Sequence, residues 1–165
     1  MSTFSRTALP LPQLPTWFSA IAASFLMAGR PEGWEAKPRV LLIEDERAIC
    51  ELLSLYLGEQ GLEVATVRSA AEARAIVARG QFRLVILDWV LEGVERLDLL
   101  QLCKARHPDI PIIVLSGADL DKPRIKAVLA QGADAVVRKQ GPLDALSTAI
   151  CRSLDRRQVE PLNAA

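Results

Sequence analysis

Of the 165 residues, 50% are apolar, enough for one domain with a sizeable core. Lysine plus arginine and aspartate plus glutamate each number 20, so the formal net charge is +0 and the basic surplus of a nucleic-acid-binding domain is missing. Cys50, Cys103 and Cys151 are odd in number, far apart and without a CxxC pair; they are expected as reduced core thiols of a cytoplasmic protein, not as metal ligands or disulfides.

Residues 1–37 differ from the rest. Pro10, Pro12 and Pro15 break any regular element early, and Gly29, Pro31 and Gly33 make a linker. Between them, Trp17 to Ala28 is mostly apolar but shorter than the roughly 20 residues a membrane-spanning helix needs, so no span is expected. A mobile or loosely docked extension ranks ahead of an amphipathic docking helix, and both rank ahead of a targeting segment.

From Arg39 the alternation is regular. Val40 to Ile43 is an unbroken apolar run ending in Glu44-Asp45, the pattern of a strand buried on both faces. Ile49, Leu52, Leu53 and Tyr56 follow at helical spacing, closed by Gly58 and Gly61. Leu62 to Val67 alternates weakly and admits Glu63 and Thr66, as an edge strand would. Ser69 to Glu72 reads as a capping box for a helix with Ala73, Ile76 and Val77 on its apolar face, stopped by Gly80. Leu84 to Leu87 is a third buried strand ending at Asp88. A loop through Gly93 leads to a helix marked by Leu99, Leu100 and Cys103, which stops near His107; that histidine is expected at a surface helix end, not in catalysis.

Ile110 to Leu115 is a fourth strand ending at Ser116-Gly117, with Pro111 near its start, where a missing N–H is tolerated. Asp121 caps a fourth helix with Pro123 in its first turn, and Ile125, Val128 and Leu129 are its expected buried face. Ala135 to Val137 is a short fifth strand ending at Arg138-Lys139, and Leu143, Leu146, Ile150 and Leu154 carry the last helix. Strands alternating with helices imply right-handed crossovers and one parallel, doubly wound α/β sheet covered on both faces. The domain is expected over residues 38–157, with 158–165 as a C-terminal tail.

Ligands of such sheets bind outside the carboxyl ends of the strands, where the strand order reverses. Those ends offer Glu44 and Asp45, then Asp88, Ser116 and Lys139. Neighbouring strands lie about 4.8 Å apart, so ends of central strands converge on one pocket. Three carboxylates that close repel one another and need compensating charge. Lys139 supplies one positive charge, and a hard divalent cation, Mg²⁺, would supply two more through oxygen ligands.

Four pieces carry a family resemblance: Leu42-Ile43-Glu44-Asp45, Val85-Ile86-Leu87-Asp88, Val114-Leu115-Ser116-Gly117, and Gly132-Ala133-Asp134 with Lys139. In that order and spacing, the segment from about Lys37 to Arg156 resembles the receiver domain of two-component response regulators, the CheY-like family. The resemblance implies a flavodoxin-like (βα)5 fold with strand order 2-1-3-4-5 and its site where strands 1 and 3 meet. It implies that Asp88 accepts a phosphoryl group from a sensor histidine kinase or a histidine phosphotransfer protein. Asp45 and Asp88 would ligate Mg²⁺ directly, Glu44 through water, and the backbone carbonyl of Val90 would be a further ligand. Ser116 and Lys139 would contact phosphoryl oxygens. A partner of unknown identity would read the switched state, with a homodimer through helix 4, strand 5 and helix 5 as one further form.

The sequence departs from the family pattern at several points. The loop after Asp88 reads Val90-Leu91-Glu92-Gly93-Val94-Glu95-Arg96, without the usual proline and DG pair. Val136 stands where the family carries a switch aromatic, and Lys139 is followed by Gln140, with Pro142 two residues later. Phosphoacceptor chemistry is expected to survive while readout differs; the alternative is a receiver-like interaction module that is never phosphorylated. Enzyme readings fare worse. A dehalogenase-type phosphatase would need an aspartate where Val90 stands, and no GxxxxGK[ST] loop is present. An FMN site would not place Glu44-Asp45 against a phosphate. Only Val159 to Ala165 follow the last helix, so a stand-alone receiver is expected, with no catalytic activity beyond its own phosphoryl transfer and dephosphorylation.

Overall fold

The computed structural model describes residues 37–90, 96–117, 120–141 and 144–155. The expectations for residues 1–36, for the loop 91–95, for Pro142 and Leu143 and for the tail 158–165 fall outside the described residues. Five strands and five helices alternate in the described chain: β1 Arg39–Ile43, α1 Arg47–Glu59, β2 Glu63–Val67, α2 Ala70–Arg79, β3 Leu84–Asp88, α3 Arg96–Arg106, β4 Ile112–Ser116, α4 Lys122–Ala130, β5 Ala135–Arg138 and α5 Asp144–Asp155. The strands form one parallel sheet in the order β2-β1-β3-β4-β5, the doubly wound arrangement the resemblance implied.

The apolar runs explain which strands are central. Every residue of β3 and β4 is buried, because crossover helices cover both faces. β2 lies at the edge and exposes Glu63 and Thr66. Alternate residues of each strand point to opposite faces, which splits the core into two layers. Leu41, Ile43, Val85, Leu87 and Val114 pack with Val77, Leu99, Leu100 and Cys103 on the side of α2 and α3. Leu42, Ile86, Ile113 and Leu115 pack with Leu53, Leu57, Leu146 and Ile150 on the side of α1 and α5.

Local details differ from the sequence expectation in instructive ways. β4 begins at Ile112, so Pro111 precedes the ladder and contributes only its carbonyl, which accepts from Val85 N at 3.0 Å. Gly58 lies inside the last turn of α1, and it is Gly61, with φ of 80°, that makes the left-handed step into β2. The Ser69 cap forms, with Oγ accepting from Glu72 N at 3.2 Å, but the Glu72 carboxylate returns to Arg68 N, one residue earlier than a capping box requires. In α4 only Val128 is fully buried; Ile125 is half-buried and Leu129 is 41% exposed, so the expected three-residue face is too wide. This short helix packs beside the edge strand β5, where a narrow apolar stripe is enough. Cys50 and Cys103 are buried free thiols, whereas Cys151 is half-buried. His107 is part-buried, and its Nε2 lies 2.8 Å from the Val77 carbonyl, tying the end of α3 to α2. No helix among the described residues is long and apolar enough to cross a membrane.

Candidate functional site

Parallel pairing puts all carboxyl ends of the strands at one edge of the sheet. Ile43 lies opposite Leu87, so Glu44 and Asp88 emerge side by side from β1 and β3. Glu44, Asp88 and Lys139 each sit two residues beyond Leu42, Ile86 and Val137, which all belong to the layer under α1 and α5. The two-residue period therefore directs the three polar groups to the same side. Their contacts agree. Lys139 Nζ lies 2.6 Å from Glu44 Oε2 and 3.1 Å from Asp88 Oδ2. Asp88 Oδ1 accepts from Val90 N at 3.1 Å, and Glu44 Oε1 accepts from Glu46 N at 3.3 Å.

Ser116 ends β4 one residue beyond the partner of Asp88, is buried, and accepts from Lys139 N through its carbonyl at 2.8 Å. The structure thus places Glu44, Asp45, Asp88, Ser116 and Lys139 at one sheet edge, and brings Glu44, Asp88 and Lys139 into direct contact. Val136, at the position of the family's aromatic, is half-buried and packs on the α2–α3 layer. The peptide bond between Lys139 and Gln140 is trans, as are all others among the described residues.

Burial dominates the electrostatics. Glu44 is 0% exposed and Asp88 2%. Desolvation pushes the Glu44 carboxyl up to about 7; the Asp88 charge adds to this, and the hydrogen bond and attraction of Lys139 only partly offset it. For Lys139, burial works against the charge, but its hydrogen bond to Glu44 and the attraction of both carboxylates outweigh that, and its affinity for a proton rises. The lysine therefore stays charged, and the Glu44 carboxyl is brought close to neutrality. Its folded-state value lies above the ordinary 4.5, so the folded chain holds the proton more tightly. The stability this gives is complete below about pH 4.5 and is lost as pH rises through about 7. Without divalent cation, the chain is expected to be about 1 kcal/mol more stable to urea at pH 6 than at pH 8. Glu44→Gln should flatten that difference; an equal difference in the variant would assign it to another group.

The donor set fits a hard divalent cation. Glu44, Asp45 and Asp88 each offer a carboxylate oxygen, and these oxygens lie within 4.8 Å of one another. Two oxygens on opposite sides of Mg²⁺ stand about 4.2 Å apart, so small side-chain adjustments, or water between Glu44 and the ion, complete the match. Among the described residues no soft ligand competes: the Cys50 thiol is pushed up to about 11, chiefly by burial, and donates to the Glu44 carbonyl at 3.0 Å. That thiol, the Glu46 N–H and the Arg68 guanidinium, whose Nε donates to the Asp45 carbonyl at 3.2 Å, support the acidic loop and escaped the sequence reading. Cys50 could have been suspected from its place one turn into α1. Nothing in the sequence marks Arg68, because its reach depends on β2 lying beside β1.

Comparison with known proteins bears on the family and the fold. The response regulator receiver domain family matches residues 40–151. The alginate biosynthesis transcriptional regulatory protein AlgB of Pseudomonas syringae pv. tomato is 31% identical over 125 residues, which are 76% of this chain and 28% of that protein. The chain thus spans little more than a quarter of the length of that relative. Among solved structures, a CheY-like receiver domain protein from Methanospirillum hungatei is 28% identical with a TM-score of 0.69, covering 76% of this chain and all of that one. TrrA of Thermotoga maritima, solved in complex with Mg²⁺-BeF, is 30% identical with a TM-score of 0.64, covering 71% of this chain and 99% of that one.

Proposed function

The chain belongs to the response regulator receiver domain family, and from that membership we propose that it is a phosphoacceptor of two-component signalling, modified on Asp88. The observation that carries the reading is the contact of a buried Asp88 with Lys139 beside two further carboxylates at the sheet edge. A carboxylate nucleophile has no hydroxyl or thiol proton to lose and needs no general base, which suits a site without histidine. In the transfer, the phosphorus–nitrogen bond of a phosphohistidine donor breaks, its electron pair returns to the imidazole, and a phosphorus–oxygen bond forms on Asp88. Asp45 and Asp88, Glu44 through water, and the carbonyl of Val90 would hold Mg²⁺. When bound, that ion neutralises charge on the phosphoryl oxygens. Lys139 supplies a second cation to those oxygens, and the Ser116 hydroxyl at the end of β4 follows them.

The donor would be a sensor histidine kinase or a histidine phosphotransfer protein, and the output would be binding of a downstream protein or relay of the phosphoryl group. A homodimer through α4, β5 and α5 is one form that output could take. The chain would process no substrate beyond its own phosphoryl group. Incubating it with acetyl phosphate and Mg²⁺ and weighing the intact protein tests the reading. One phosphoryl adduct per chain is expected. No adduct would leave the same fold as an interaction module independent of phosphorylation.

Val90 bears on how long the group stays. Its side chain is 45% exposed beside the acceptor, and its N–H already holds Asp88 Oδ1. An apolar side chain there offers no hydrogen bond to an attacking water. Val90→Asn is expected to speed dephosphorylation roughly fivefold, the worth of one such hydrogen bond. An unchanged or slower rate would refute this.

A further inference from the structure

The edge strand β2 contributes no carboxylate or hydroxyl to the acidic cluster, yet it ends beside it. Ile43 lies opposite Val67, and Glu44 N donates to the Val67 carbonyl at 3.0 Å, so residues 45 and 68 leave the sheet next to one another. Arg68 is fixed from behind: its own N–H is held by the Glu72 carboxylate at 3.1 Å, and Glu72 N is held by the Ser69 cap of α2. From that anchored position the Arg68 Nε donates to the Asp45 carbonyl at 3.2 Å. On the other side, the Cys50 thiol holds the Glu44 carbonyl. The two consecutive carbonyls of the acidic loop are thus each held by a side chain from a different element.

The geometry points to Arg68 as a positioning residue for the divalent cation: it fixes the backbone of Asp45, and with it the Asp45 carboxylate, relative to Asp88. This rests on the proposed cation site and adds to it the residue that directly follows β2, the strand that otherwise stands outside. The contact is to the Asp45 carbonyl, so through it Arg68 holds the backbone that carries the ligand. Its positive charge acts in the opposite sense, since a cation near the site repels Mg²⁺. Removing the side chain therefore has two opposed consequences, and the sign of the net change separates them. Loss of positioning weakens cation binding, whereas loss of repulsion alone strengthens it.

The experiment is calorimetric titration of the full chain with Mg²⁺, without any phosphodonor, for the wild type, Arg68→Ala and Arg68→Gln. Arg68→Ala is expected to weaken Mg²⁺ binding roughly fivefold, the worth of one hydrogen bond of about 1 kcal/mol. Arg68→Gln keeps an N–H donor but drops the charge, and is expected to bind at least as tightly as Arg68→Ala and closer to the wild type. Arg68 is exposed, so both variants should fold, which the far-ultraviolet circular dichroism of each sample checks. Unchanged or tighter binding by Arg68→Ala overturns the positioning role while leaving the cation site intact. A wild-type chain that binds no Mg²⁺ overturns the cation site itself, and this proposal with it.

Discussion

Asp88→Asn is expected to fold and yet take no phosphoryl group from acetyl phosphate and Mg²⁺, a loss to below detection by intact mass. The amide is a poor nucleophile and carries no charge to share with a cation, so both parts of the proposed chemistry fail together. The fold should not fail with them. Asp88 ends β3, and its backbone place in the ladder is independent of which oxygen or nitrogen its side chain carries. Lys139 should keep its ion pair with Glu44, 2.6 Å away in the wild type, when it loses the Asp88 charge. Removing the Asp88 charge also removes one of the effects that hold the Glu44 proton, although burial, the larger effect, remains. Glu44 should therefore still titrate above the ordinary carboxylate range, at a lower value than in the wild type. An adduct of unchanged stoichiometry on Asp88→Asn would place the acceptor elsewhere.

Ile86→Ala is expected to cost about 3–4 kcal/mol of unfolding free energy, read as a lower urea midpoint. Ile86 is fully buried in the second layer, on the central strand, between Leu42 of β1 and Ile113 of β4. Truncation there removes a branched side chain whose neighbours are fixed by two ladders and cannot collapse into the space. Leu55 is the matched control: it is 65% exposed on α1, and Leu55→Ala should change stability by no more than about 0.5 kcal/mol. Because Asp88 lies two residues beyond Ile86 on the same strand, the core variant should also reduce phosphoryl uptake wherever it is partly unfolded. A loss of less than about 1 kcal/mol for Ile86→Ala would mean that the layer repacks more freely than its burial implies.

Much of the molecule was legible before any coordinates. The runs at Val40, Leu84 and Ile112 are apolar because both of their faces are covered, and that is visible as an unbroken pattern. The edge character of β2 could be read from Glu63 and Thr66, and the caps at Ser69 and Asp121 from their position ahead of apolar periods. Glu44 and Asp45, the proposed acceptor Asp88, Ser116 and Lys139 were found as residues that close strands. These features are local: a period, a cap or a strand end involves residues within one turn or one strand of each other.

The misreadings and omissions share the opposite property. Leu129 belongs to a helical period, but its exposure depends on how α4 settles against the sheet margin beside β5. The Glu72 carboxylate closes on Arg68 N, which the spacing of the Ser69 cap alone does not specify. The raised proton affinity of Glu44 comes from burial at a position that looks like any acid after a strand. The hold of Arg68 on Asp45 exists only because two strand ends, far apart in the chain, leave the sheet as neighbours. The sequence by itself determined the elements, their order along the chain and which polar groups stand at strand ends, since each is written in short-range patterning. The tertiary structure alone decided which of those groups touch, which are desolvated and which side chains from elsewhere in the chain hold them, because distance and burial are properties of non-local packing.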